Sequence, residues 1–353
     1  PPQRGGCQLR EQSLGAGTSD TGRICCPKGV ALPSTSRPDW QTALPQAMQT
    51  LEGPVFAVRS SGVSEDGPET SFAGQFYTSL NVPRRAVAHA VRQTAAHVED
   101  ARRYALTMGR PAPHTVGVVI QQMLSPRAAG VAFTRHPVTG DNTIVVEAVR
   151  GLADQLVAGQ AAPERWQLGQ NGVPVRDVSR DILTTAQVLE IGRVARRIEA
   201  LFGGAQDIEW AIADNRVWVL QSRPITTLSS TGSAIRQPET SAAIQKCLAT
   251  GTPSSPGVAH GRVRHITTLD EFFTFQAGDI LVCQTTSPAW TPLLARAGAV
   301  VTARGGILSH AAIVAREFRI PAITGVQSAF HLPEGYNVTV NGDTGIITTQ
   351  DIA

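Results

Sequence analysis

Thr302-Ala303-Arg304-Gly305-Gly306-Ile307-Leu308-Ser309-His310-Ala311-Ala312-Ile313-Val314-Ala315-Arg316 is the run whose reading decides the fold of the C-terminal half. A pair of glycines leads into Ser309, a residue type favoured just before a helix, and strong helix formers follow. His310 therefore falls on the first turn of a helix. The positive end of a helix favours a neutral imidazole over an imidazolium, and it favours a dianionic phosphoryl group if one is attached. Thr302 and Ser309 bring hydroxyls that could donate to such a group, and Gly305 and Gly306 leave room for a bulky one. A lone histidine at a helix start is usually a surface residue or a cap. The Gly-Gly, Ser and small-residue surroundings reverse that expectation here.

Outward from this run, strands at about 279–284, 298–302, 321–325 and 337–340 alternate with helices at about 289–297 and 310–318. That alternation predicts a compact α/β domain over 254–353, closed by a turn at Asn341-Gly342-Asp343-Thr344-Gly345. Residues 227–253 are rich in Ser, Thr and Gly, with a short helix expected only near Ala242–Leu248, and read as an interdomain linker.

The N-terminal half has a different texture. Residues 1–40 show no apolar periodicity and read as a disordered or poorly packed leader, or one foreign to the rest of the chain. Val55-Phe56-Ala57-Val58-Arg59 reads as a strand entering a polar loop that runs through Gly74. Val87, Val91, Ala95 and Val98 place an amphipathic helix at about 84–108. Strands follow at about 116–122, 129–134 and 143–149, and then a helix at about 185–202 capped by Gly203-Gly204.

A hairpin at about 207–222 carries the chemistry of this half. Asp207, Glu209 and Ala211 alternate with Ile208, Trp210 and Ile212, so one face is apolar and the other acidic. A three-residue loop (Asp214, Asn215, Arg216) sets Gln221 opposite Glu209, with Trp218 and Leu220 joining Trp210 on the buried face; a two-residue loop would turn Gln221 away. The three-residue register lines up Glu209, Gln221 and Arg223. Carboxylate and amide oxygens suit Mg²⁺, which shares nucleotide phosphates, although a solvated polar face fits the same residues. The glycines and serines around Arg59-Ser60-Ser61-Gly62 and Ser71-Phe72-Ala73-Gly74-Gln75 could admit phosphate, a weak signal alone.

Composition bounds the rest. The 353 residues suggest about two domains, 42% hydrophobic and 17% charged, as in a globular chain. A net charge of +3 is too small to argue for nucleic acid or a membrane surface. No apolar run approaches the ~18 residues of a membrane span, and no signal peptide is visible. The five cysteines (Cys7, Cys25, Cys26, Cys247, Cys283) follow no metal-ligand or disulfide spacing, so the cytoplasm is the expected compartment.

Several separated blocks, in order, resemble the phosphoenolpyruvate synthase, pyruvate phosphate dikinase and rifampin phosphotransferase family. They are Ala57–Ser61 through Asn81-Val82, Gln121-Gln122-Met123, Ala129–Arg135 and Asp207-Ile208-Glu209-Trp210, spanning about 42–226. Thr285–Leu294, the run around His310, and Ile320–Gly325 are similar to the family's swivelling histidine domain. The resemblance implies an α+β ATP-grasp domain followed by an α/β swivelling phosphohistidine domain. It implies ATP and Mg²⁺ as cofactors. Arg59, Gly74, Thr78 and Arg223 would meet the phosphates, Gln121, Gln122 and Met123 would line the adenine pocket, and Glu209 and Gln221 would hold Mg²⁺. In the family a further N-terminal subdomain brings a lysine to the nucleotide. The residues before Val55 do not resemble it, and Lys28 is the only lysine among them, so that subdomain is expected to be missing.

The implied reaction passes the β-phosphoryl of ATP to His310, releases AMP and Pi, and hands the phosphoryl group to a pyruvate-like or other small acceptor. Family members carry an acceptor domain either as a C-terminal pyruvate-binding barrel or between the other two domains. The stretch 227–253 is too short for the second and no barrel follows the histidine domain, so the acceptor site is expected on another polypeptide or lost. The alternative is a degenerate, non-catalytic nucleotide-binding remnant or partner subunit of such an enzyme.

Overall fold

The computed structural model describes residues 24–32, 40–62, 78–97, 116–157, 161, 163–169, 171–178, 180–225, 245–307 and 309–350. The chain divides into two compact units, Pro1–Ala129 with Arg193–Thr226, and Gly130–Gly192 with Thr227–Ala353. These units do not coincide with the expected domains, because residues 130–192 group with the histidine half.

The first unit contains a four-stranded antiparallel sheet of β1 (Gly29–Leu32), β2 (Val55–Gly62), β3 (Thr78–Pro83) and β4 (Val116–Gln122), in the order β1-β4-β2-β3. Alternate residues Phe56 and Val58 on β2, and Val118 and Ile120 on β4, are wholly buried. They pack with Leu32, Trp40 and Leu44 and with Val87, Ala90 and Val91, which brings helices α1 (Trp40–Gln49) and α2 (Val87–Ala96) into the same core. Each buried Val, Leu, Ile or Phe side chain here contributes about 1.5–3 kcal/mol. The expected helix at 84–108 is thus a single 3₁₀ turn followed by α2, and its last residues lie outside the described ones.

Part of the leader expected to be disordered or poorly packed is ordered in a sheet. β1 pairs with β4 from Gly29↔Gln121 to Leu32↔Val118, and Val219 N–H donates to the Cys25 carbonyl at 2.8 Å. An edge strand of four residues offers too short a pattern for periodicity to reveal; its partner is nearly ninety residues away.

Between Ala128 and Pro224 the chain forms β5 (Ala128–Phe133), β6 (Ile144–Arg150), β7 (Glu164–Leu168), β8 (Pro174–Val178), α3 (Thr185–Phe202), β9 (Gln206–Ala213) and β10 (Arg216–Pro224). β6, β7 and β8 make an antiparallel meander in which β7 and β8 are additions to the sequence expectation. Glu164, fully buried on β7, accepts from the backbone N–H groups of Arg180 (2.9 Å), Ile182 (2.8 Å) and Leu183 (3.1 Å) and from Trp166 Nε1 (2.6 Å). One carboxylate thereby satisfies the donors of the turn that leads into α3.

The β9–β10 hairpin corrects its expected loop. Only Asp214 and Asn215 lie between the strands, at φ 49° and 55°, the left-handed pair that a two-residue type I′ turn requires. Arg216 pairs with Ala213, Val217 with Ile212, Trp218 with Ala211 and Val219 with Trp210. A bulge at Leu220 then inserts one extra residue, so Gln221 still falls opposite Glu209. Val219, rather than Trp218 and Leu220, is the buried neighbour of Trp210.

The second unit also holds an eight-stranded mixed sheet. Its strands are β11 (Gln245–Thr250), β12 (Thr252–Ser255), β13 (Val258–His265), β14 (Ile280–Cys283), β15 (Ala299–Thr302), β16 (Ala322–Thr324), β17 (Asn337–Asn341) and β18 (Ile346–Gln350). The order is β11-β18-β17-β13-β14-β15-β16-β12, with β13 through β16 parallel. Ile280, Val282 and Val301 belong to one core, and Leu281, Cys283 and Val300 to another. Both faces are covered, which is why β14 and β15 read as unbroken apolar runs. Helix α4 (His310–Phe318) packs Ala311, Val314 and Ala315 into the second core.

Two expectations fail here. Residues 245–248 of the helix expected near Ala242–Leu248 lie instead in β11, and residues 245–250 and 252–253 of the expected linker are sheet strands. The remainder of that linker, up to residue 244, lies outside the described residues. The helix expected at 289–297 is a 3₁₀ turn and one α-turn, Thr291–Leu294.

Candidate functional sites

In the first unit, β2 carries Arg59 to the β9–β10 hairpin. Its Nη2 donates to Glu209 Oε2 at 2.6 Å and its Nη1 to Gln221 Oε1 at 3.0 Å. Glu209 and Gln221 therefore present their oxygens to one guanidinium. Burial alone would raise the Glu209 carboxyl, but the Arg59 charge and hydrogen bond, and then the Arg223 charge, hold it below the usual carboxylate range. The group is an anion at neutral pH.

Arg223 engages its cross-strand partner, with Nε and Nη2 at 2.8 and 2.6 Å from Asp207 Oδ2. Thr78, exposed, pairs with Arg59 at the start of β3, and Gly74 lies outside the described residues. Gln121 is buried on β4 between Gly29 and Ala57, two residues before Arg59 on β2. Gln122 is committed to the protein: its N–H donates to the Lys28 carbonyl (2.8 Å) and its Nε2 to the Glu52 carbonyl (2.9 Å). Met123 N–H donates to the Val55 carbonyl.

In the second unit, β15 ends at Thr302 and the chain turns through Gly305, at φ 107°, before α4 begins at His310. Ser309 occupies the capping position with φ −64° and ψ 156°, yet its hydroxyl donates back to the Gly306 carbonyl at 2.9 Å. Thr302 Oγ1 donates to the Arg304 carbonyl at 2.8 Å. Both hydroxyls expected to face a phosphoryl group thus shape the loop.

His310 itself is only 6% exposed. Its Nδ1 lies 2.8 Å from Thr286 Oγ1, and its Nε2 is buried with no hydrogen-bond partner. Burial pushes the imidazole down to about 4, so it is neutral at physiological pH. With the ring proton on Nδ1 and donated to Thr286, the Nε2 lone pair is left free as a nucleophile. Thr286 is a site residue that no local motif marks. It sits in the Thr285–Leu294 block, but only the fold brings that block onto the start of α4.

Residues 34–181 and 169–243 match the family of pyruvate phosphate dikinase AMP/ATP-binding domains, and residues 275–345 match the mobile domain of PEP-utilising enzymes. The class is therefore that of proteins joining an AMP/ATP-binding domain to the mobile domain of PEP-utilising enzymes. Over 322 residues the chain is 35% identical to the probable phosphoenolpyruvate synthase of Methanothermobacter thermautotrophicus, covering 82% of this chain and 46% of that protein. It is 32% identical to phosphoenolpyruvate synthase of Pyrococcus furiosus (91% of this chain, 44% of that one) and 31% identical to that of Escherichia coli K12 (89% and 46%). The chain belongs to the phosphoenolpyruvate synthase and pyruvate phosphate dikinase family, and it spans less than half the length of these relatives. Among the described residues no helix is long and apolar enough to cross a membrane.

Proposed function

We propose that this chain is the phosphohistidine-forming part of an ATP-dependent phosphotransferase of the dikinase type, with an ATP-grasp nucleotide domain and His310 as the carrier. The observation that carries the reading is the buried, neutral imidazole whose Nδ1 is held by Thr286 while Nε2 has no partner. Nε2 bonds to the β-phosphorus of ATP, the bridging oxygen leaves on AMP, and water splits the β–γ link to release Pi. The net change is ATP, water and His310 to AMP, Pi and phospho-His310. Once the Nδ1 proton has left the phosphorylated ring, the Thr286 hydroxyl can reverse and donate to Nδ1. The phosphoryl group then passes to a small acceptor, pyruvate-like or other, held outside the two sites described.

Glu209 and Gln221 fit Mg²⁺ by their chemistry, two hard oxygens already gathered on one cation, Arg59. No group of three or more Asp, Glu, His or Cys side chains is gathered for a metal among the described residues, so water and phosphate would complete the shell. When bound, the ion would draw negative charge off the phosphates. Arg59 would orient the two ligands and, with Arg223, contact phosphate oxygens. Gln121 would lie along the adenine.

β-labelled ATP tests the reading. Wild type should take up label that survives alkali and is lost in acid, and His310→Ala should take up none. Equal acid-labile label on His310→Ala would place the carrier elsewhere, and an unlabelled wild type would remove the proposed reaction from this chain.

A further inference from the structure

Gly305 and Gly306 are glycines for different physical reasons. Gly305 adopts φ 107°, a conformation that side chains resist. Gly306 has no such φ; a Cβ placed there would lie 2.6 and 2.8 Å from the two carboxylate oxygens of Glu147. The requirement at 306 is close approach. A carboxylate from β6 occupies the space where a side chain would stand, 159 residues earlier in the chain.

Glu147 is wholly buried, and its Oε1 takes both Nε (2.9 Å) and Nη2 (2.8 Å) of Arg165 on β7. Its Oε2 is buried with no hydrogen-bond partner, facing the loop. Arg165 extends the contact: Nη1 reaches Asp177 Oδ2 at 3.4 Å and Thr252 Oγ1 of β12 at 3.5 Å. Thr252 in turn lies beside Gly325, whose own Cβ position is 3.3 Å from the Gly305 carbonyl. The ion pair therefore touches the glycine loop directly and, through β12, the ground beneath it.

That loop sets His310. The Gly306 carbonyl accepts from both the backbone N–H (3.1 Å) and the hydroxyl (2.9 Å) of Ser309, the residue before His310. Arg316 of α4 donates through Nη1 to the Ile307 and Ser254 carbonyls, fastening the far side of the loop. Ser309 thus ties the Gly306 carbonyl to the first turn of α4.

We propose that the Glu147–Arg165 ion pair is the seat of the Gly305–Gly306 loop and a positioning device for His310, set against the loop from a different sheet of the same unit. The proposal rests on the phosphohistidine reading only for its kinetic consequence. The seat itself is a statement about packing. A seated loop presents Nε2 in one orientation, and a loop lifted from the carboxylate does not. Neither Glu147 nor Arg165 touches the reacting atoms.

The full chain tests this with a double-mutant cycle and two phosphoryl donors. Gly306→Ala should slow His310 labelling from β-labelled ATP at least tenfold while sparing labelling by phosphoramidate, a small donor that needs no nucleotide site. Glu147→Ala in the Gly306→Ala background should recover part of the loss, because it empties the space the new methyl needs. Glu147→Gln, nearly the same shape, serves as the second variant should either alanine change unfold the chain. Without any nucleotide, it should raise hydrogen exchange at the amides of residues 305–309. Wild-type labelling rates in Gly306→Ala, simple additivity of the two alanine changes, or unchanged exchange in Glu147→Gln would each overturn the seat. If wild type takes no label from ATP, the phosphotransfer reading fails, and the exchange result alone still decides the seat.

Discussion

The hydroxyl of Thr286 stands 2.8 Å from Nδ1 of His310, which leaves Nε2 as the buried ring nitrogen without a hydrogen-bond partner. Thr286 arrives from the segment after β14, His310 from the loop after β15, and the parallel pairing of those strands brings their ends side by side. Thr286→Val keeps the shape and removes the oxygen. Its rate of His310 phosphorylation should fall at least tenfold, about 1.4 kcal/mol of transition-state stabilisation, while Thr286→Ser stays near wild type. Quench-flow labelling of the two variants checks this, and equal loss in both would show that the methyl, and not the hydroxyl, matters.

The same histidine should make stability depend on acidity in a definite window. Its folded value, about 4, is below the unfolded value near 6.5, so between these limits the unfolded chain binds more protons. Stability therefore rises with pH across that window and is lost as pH falls from 6.5 towards 4. The full effect is on the order of 3 kcal/mol. Urea melts from pH 4.5 to 7.5 should show this slope in wild type and a shallower one in His310→Gln.

Glu209→Gln should weaken Mg²⁺-dependent ATP binding tenfold or more, about 1.4 kcal/mol, and leave Mg²⁺-free binding nearly unchanged. Titration calorimetry with and without the metal distinguishes the two. Equal weakening in both conditions would mean that Glu209 serves only to hold Arg59, its partner at 2.6 Å.

Glu164→Ala should be among the most destabilising single changes in the second unit. It strips an acceptor from three backbone N–H groups and the Trp166 indole at once. Buried donors left without partners cost about 1–3 kcal/mol each, so a loss of at least about 3 kcal/mol is expected in chemical denaturation. A change under 1 kcal/mol would show that water replaces the carboxylate without penalty.

Local pattern determined much of this protein. The 3.6-residue period gave α3 from 185 to 202 as the structure has it, and the Gly-Gly-x-x-Ser-His run placed His310 on the first turn of α4, where the structure makes it the first residue. Both are decided by neighbours within a few turns, where propensity and capping act. The alternation of apolar and acidic residues on β9 likewise put Glu209 and Gln221 on a shared face, although the means differ: a two-residue turn with a bulge at Leu220 replaces the three-residue loop. A bulge is invisible to periodicity because it shifts the register without changing composition. What only the tertiary structure decided involves partners distant in sequence. β1 becomes a strand because β4 offers it an edge, and residues 245–250 and 252–255 become strands because β18 and β16 do. Thr286 reaches His310 through strand order, and Glu147 reaches Gly306 through the packing of one sheet against a loop of another. Contacts of that kind depend on the summed geometry of the whole core, which no window of sequence contains.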